Sequence, residues 1–213
     1  MVLKKVGEFQ TTINVNGEEK VSTLQSSDKT YNLDGGINPN DFSTFVVFDT
    51  PSNKYAIGGS GDSKSYFVQE AGAIELTVYS GQATLDYEIS GGGGGGGDAE
   101  SRVDGSDGQA TTFNGQTADG GKGGEGGYYR TTDDYDAGSD GAGGDGAAGG
   151  SGNNFGLAGG GDGGNGYTKT NTVTTSGTLT GNIGEKGREQ SEYYHDHPGE
   201  DGEPGYIDIT ITL

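Results

Sequence analysis

The residues best equipped for chemistry are aromatic, and they lie in short polar stretches between runs of glycine. Tyr128-Tyr129-Arg130-Thr131-Thr132-Asp133-Asp134-Tyr135-Asp136 is the richest stretch, and Glu192-Tyr193-Tyr194-His195-Asp196-His197-Pro198 is the next. Asn153-Asn154-Phe155-Gly156-Leu157 and Tyr167-Thr168-Lys169-Thr170 follow. Tyrosine beside Asp, Asn and Arg is recognition chemistry: a stiff ring stacks while neighbouring polar groups fix orientation. The candidate binding residues are therefore Tyr128, Tyr129, Arg130, Tyr135, Phe155, Tyr167, Tyr193, Tyr194, His195 and His197. The plainer alternative is that the rings cap the ends of the glycine segments and shield their last carbonyls; one ring could do both. His195-Asp196-His197 could bind a transition metal. We read the pair instead as solvent-exposed loop histidines and assign no metal.

Catalytic patterns are missing. The chain has no Gly-X-Ser-X-Gly, and Gly184-Glu185-Lys186-Gly187 lacks the spacing of a phosphate-binding loop. Asp133-Asp134 has no positioned partner. The Asp-rich stretches lack the nonapeptide period of calcium-binding β-helices and read as a solvated acidic surface. The expectation is a non-enzymatic protein without a cofactor.

The elements that must position these rings are unusual. Glycine supplies 47 of the 213 residues, mostly between Gly91 and Gly205, and apolar residues only 28%. An ordinary domain has about 45–50% apolar residues, so a side-chain core cannot run the length of the chain. The net charge of −20 argues against nucleic acid, which needs a basic footprint, and against anionic membrane surfaces. There is no cysteine, so no disulfide and no thiolate metal site. No apolar stretch approaches the roughly 20 residues of a membrane span, so membrane insertion is not expected. Met1-Val2-Leu3-Lys4-Lys5-Val6 lacks the apolar core of a secretory signal, and synthesis in a cytoplasm is expected.

Composition shifts sharply at Ser90–Gly91. Before that point the chain reads as short strands. Phe9–Val15 alternates and ends on the turn signal Asn16-Gly17, with Val21–Leu24 as a return strand. Phe42–Phe48, Tyr55–Ile57, Tyr66–Val68, Ile74–Tyr79 and Thr84–Ile89 follow, separated by turns. No window carries a helical face. Residues 1–90 are therefore expected to form a small antiparallel sandwich or barrel. At the far end Tyr206–Leu213 places Ile207, Ile209 and Ile211 on one face. This closing strand is expected to pair with Ile74–Tyr79 or Thr84–Ile89.

Between lies a three-residue register. A polyproline-II-like helix has three residues per turn and no internal hydrogen bonds, so its N–H and C=O groups are free to bond sideways. Neighbours can approach only where no Cβ holds the backbones apart. Sequence then encodes depth. Gly91–Gly97 is unbroken glycine and fits the centre. Gly120–Gly127, Gly143–Ser151 and Gly160–Gly166 approximate Gly-Gly-X and fit one exposed face. The sets Gly105/Gly108, Gly181/Gly184/Gly187 and Gly199/Gly202/Gly205 are Gly-X-X and fit the periphery. Residues 91–205 are thus expected to be a bundle of polyglycine-II helices with presented loops. Collagen is disfavoured by four prolines and frequent breaks.

The layout resembles the glycine-rich terminal domains of tailed-bacteriophage tail fibres and fibre-tip adhesins. The likeness lies in a β segment, Ile74–Ser90, running into polyglycine Gly91–Gly97; in the segment from Thr172 to Gly184; and in Asp201–Ile209, a glycine turn into a last strand. It covers about Gly72–Leu213. The resemblance implies a virion protein whose polyglycine-II bundle presents loops to a host cell-surface glycan or outer-membrane protein. It also implies other virion proteins as partners, with the β domain as attachment point; virion symmetry would suit a homotrimer. Two departures from the family pattern are that the long trimeric shaft usual upstream in such fibres is not visible in this sequence, and that the sequence is unusually acidic. A head fibre, tail-tip component or other decoration protein without specific receptor binding is the alternative.

Overall fold

A computed structural model describes residues 42–98, 103–127, 137–152, 161–189 and 199–213 in full, and the remaining strands as backbone. The described chain is all β, with no helix. β1 (Glu8–Val15), β2 (Glu18–Ser27) and β3 (Thr30–Leu33) form one antiparallel sheet. A second sheet has the order β10-β9-β16-β7-β4-β5, and a third β15-β8-β17-β6. Their strands are β4 (Thr44–Asp49), β5 (Lys54–Gly59), β6 (Ser63–Val68), β7 (Gly72–Ser80), β8 (Ala83–Ser90), β9 (Thr111–Phe113), β10 (Gln116–Ala118), β15 (Thr168–Thr175), β16 (Thr178–Ile183) and β17 (Tyr206–Thr212). Every pairing is antiparallel.

These two larger sheets share one apolar core. Alternation turns Ile74, Leu76 and Val78 of β7 inward, facing Leu85, Tyr87 and Ile89 of β8 and Ile207, Ile209 and Ile211 of β17. The three β17 isoleucines are fully buried, and burying such a side chain stabilises by about 1.5–3 kcal/mol. The closing strand pairs with β8, as one expectation had it, and with β6 on its other side. It does not pair with β7, which lies in the opposite sheet. Phe45, Val47 and Ala56 are buried outside this core, and β1 packs against β5.

Four of these strands come from within residues 91–205, so sheets and glycine segments interleave along the chain. β9 and β10 form a hairpin closed by Asn114-Gly115, both at positive φ (48° and 72°), as a two-residue turn between twisted strands demands. β15 and β16 belong to different sheets, and the chain crosses between them at Ser176-Gly177. Thr168-Lys169-Thr170, read from sequence as a loop, is strand. Gly181, read as part of the triplet register, is a strand residue opposite Ile74 and Phe113.

The glycine segments form an array without a side-chain core. Residues 91–98 are all buried. Gly91, Gly94 and Gly97 donate N–H to the carbonyls of Tyr167, Gly164 and Gly161; Gly92 and Gly95 to Gln109 and Ser106; Gly93 and Gly96 to Glu203 and Glu200. Three antiparallel neighbours therefore accept in rotation. Three parallel neighbours lie between them. Gly121 and Gly124 donate to Gly92 and Gly95, Gly150 to Gly94, and Gly187 to Gly93. The six bond to one another in a closed ring of 103–109, 119–127, 161–167, 147–152, 199–205 and 184–189. Segment 137–144 adds to the outside through Lys122, Glu125 and Asp162. Burial follows the period of three: Gly121, Gly124 and Gly127 are buried, while Lys122 and Glu125 are exposed.

Candidate recognition site

The array has two distinct ends, fixed by its register. Gly91 lies level with Tyr167, and Gly97 with Gly161; Asp98 joins Val103 and Gly127. At the first end six strands run straight into six segments: β8 into 91, 110 into β9, β10 into 119, 167 into β15, β16 into 184 and 205 into β17. At the second end Gly127 leads into β11 (Tyr128–Thr131), which pairs with β12 (Asp134–Asp136). There too the chain leaves at Gly152 for β13 (Asn154–Phe155), paired with β14 (Ala158–Gly159). The two hairpins lie together, because β14 contacts both β11 and β12.

Tyr128, Tyr129 and Arg130 thus fall on β11, with Tyr135 opposite Tyr129, and Phe155 falls on the neighbouring hairpin. Tyr193, Tyr194, His195 and His197 lie outside the described residues. The chain leaves for them at 189 and returns at 199, at the same end of the array. Tyr167 is the exception. It is 43% exposed but stands at the sheet end, where its N–H donates to the Asp119 carbonyl.

Comparison with family models, characterised proteins and solved structures gives no match.

What holds the outside of the array was not visible in the sequence. Outward-facing glycine N–H groups have no backbone acceptor, and side chains of the adjoining segment supply one. Gly126 and Gly123 donate to Asp104 Oδ1 (2.8 Å) and Asp107 Oδ1 (3.0 Å). Gly152 donates to Asp162 Oδ1 (2.7 Å), Asp162 N–H to Asp140 Oδ1 (2.9 Å), and Gly149 to Asn165 Oδ1 (2.9 Å). Ser106 Oγ accepts from Arg188 N–H, and Asp201 Oδ1 from Glu189 N–H. At the sheet end the buried hydroxyls of Ser90 and Thr111 accept from Ala147 and Gly184. Part of the acidic surface, Asp104, Asp107, Asp140, Asp162 and Asp201, is therefore structural, not merely solvated. These contacts also tune ionisation. The Lys122 hydrogen bond (2.6 Å) holds Asp107 below the usual carboxylate range, against a small burial effect, with help from Gly123 N–H. Lys186 (2.7 Å) does the same for Asp201. The Ser139 hydroxyl and N–H lower Glu125. Among the described residues no group of His, Asp and Glu is placed to hold a metal.

Proposed function

We propose that this chain is a non-enzymatic bacteriophage virion protein, a tail-fibre or fibre-tip adhesin. In this reading its glycine array is a polyglycine-II bundle that holds the tyrosine-bearing hairpins out for host receptor binding. The observation that carries the reading is the separation of the ends: sheets at one, and at the other the hairpins of Tyr128, Tyr129, Arg130, Tyr135 and Phe155. A rigid spacer with a polar aromatic tip is the geometry of a presented binding site. The polyglycine-II assignment draws support from three features. Segments bond laterally and not internally, burial repeats every third residue, and a Cβ on any of Gly91–Gly97 would strike a neighbouring carbonyl.

Purified protein should bind intact host cells and block infection. Deleting 128–136 should abolish that binding while the melting transition survives. Protein that ignores cells yet coats particles would establish the decoration role instead. For the bundle, amide exchange is decisive: Gly91–Gly97 should exchange only with global unfolding, and fast exchange throughout 91–205 would refute it.

A further inference from the structure

The outer face of the sheet β15-β8-β17-β6 is polar, and along its two central rows Asp86, Asp208, Thr170, Ser65 and Phe67 are exposed. Cross-strand register aligns Thr170, Glu88, Asp208 and Phe67 in one row, with Thr172, Asp86, Thr210 and Ser65 in the next. Ser65 and Thr210 hydroxyls bond at 2.8 Å, and Thr172 donates to Asp86 at 2.6 Å, so these groups are held in place. Asp86, Glu88, Thr170, Thr172, Asp208 and Thr210 surround a shallow, open depression of about 380 Å3.

Beside the depression stands an aromatic platform. Phe67 is 60% exposed, although the other outward residues of its strand are Ser63 and Ser65. Its ring leans on Tyr206, with centroids 5.3 Å apart. Tyr206 is fixed in turn, its hydroxyl donating to Glu88 at 2.7 Å. Burial first, then Glu88, pushes that hydroxyl up to about 12, so it remains a donor at neutral pH. Asp208 lies directly between Phe67 and Glu88, where cross-strand neighbours stand about 5 Å apart. Among the described residues its exposed carboxylate has no side-chain partner. An exposed ring bordered by carboxylate acceptors and ordered hydroxyls suits a ligand with one apolar face and several O–H donors. The two rows contain no Lys, Arg or His, which disfavours an anionic ligand.

We propose that this face binds a neutral saccharide, with the Phe67 ring stacked on one sugar and Asp208, Asp86 and Glu88 accepting hydrogen bonds from its hydroxyls. The face belongs to the sheet end, opposite the tyrosine hairpins, and does not depend on what those hairpins bind. The full chain would be tested in EDTA against immobilised oligosaccharides of glucose, galactose and N-acetylglucosamine, beside sialylated and sulfated sugars. At least one neutral sugar should be retained. Phe67→Ala and Asp208→Asn should each weaken it about tenfold, Phe67→Tyr should preserve it, and deletion of 128–136 should leave it unchanged. Both altered side chains are exposed, so melting curves should show the fold intact. Failure to retain any neutral sugar in EDTA, preference for the anionic set, undiminished binding by Phe67→Ala or Asp208→Asn, or loss on deleting 128–136 would each overturn the proposal.

Discussion

At the residue scale, two side-chain rules build the array. The first is absence. A methyl group on Gly94 would meet the Lys122 carbonyl, and the same clash recurs along the central run because each residue faces a neighbour's backbone. Gly94→Ala should destabilise by about 2–4 kcal/mol, since backbone on all sides leaves no flexible atom to give way. Gly177→Ala is the control. Nothing lies within 4 Å of a Cβ there, and the change should stay within about 0.5 kcal/mol. Chemical denaturation of both variants measures the contrast. The second rule is the outward acceptor. Asp162→Ala orphans the Gly152 N–H and should lower the melting temperature by about 2–4 °C. Asp162→Asn keeps the acceptor oxygen and should restore most of the loss. If asparagine proved as damaging as alanine, charge and not the hydrogen bond would be the contribution of that residue.

At the element scale, strands and glycine segments are one continuous system, because a strand ends and a segment begins without an intervening loop at Ser90–Gly91 and Gly205–Tyr206. Order in either part should therefore depend on the other. Ile209→Ala removes a fully buried side chain from β17 and should cost about 2–5 kcal/mol. Scanning calorimetry should show sheets and array losing structure in one transition; a separate array transition at the wild-type temperature would show the two to be independent. The same continuity explains what could be read from sequence. β7, β8 and β17 carry buried residues at period two, β4 is a continuous buried run of β-branched and aromatic residues, and the central depth of Gly91–Gly97 follows from glycine alone. β15 was missed because it is an edge strand of threonines, with only Val173 packed on the core. β9 and β10 were missed despite Asn114-Gly115, since three residues are too few to display alternation. Gly181 fell on the triplet register by coincidence: its glycine lets Thr112 and Phe113 of the neighbouring strand approach. The stretch around Tyr128 and Tyr135 forms a hairpin at the far end of the array, whereas Tyr167 stands at the sheet end, a difference the sequence does not display. Which end of the array a residue occupies depends on the direction each segment runs, and that is set by lateral partners far away in sequence.

At the scale of the whole molecule, a net charge of −20 sets two effects against each other as pH falls. Protonating carboxylates relieves self-repulsion and favours the folded state. It also weakens the charge-assisted hydrogen bonds that these carboxylates accept from the outer N–H groups and from Lys122 and Lys186. The folded-state pKa of Asp107 and Asp201 is depressed, chiefly by Lys122 and Lys186. A group of that kind contributes fully above its unfolded value, about 3.9, and its contribution disappears as pH falls through the lower folded value. The loss is thus confined to acid below about pH 4. Repulsion between exposed charges is screened over about 8 Å at physiological salt, whereas the carboxylate contacts are direct, at 2.6–3.0 Å. The contacts should therefore win. At about 0.15 M salt the melting temperature should stay nearly level from about pH 8 to 5 and fall below about pH 4. Asp107→Asn, which retains the acceptor for Gly123 but loses the negative charge that faces Lys122, should start lower at neutral pH and show a shallower acid decline. A melting temperature that instead climbed steadily from pH 5 to 3 would mean that repulsion, not weakening of the carboxylate contacts, governs the acid response of this array.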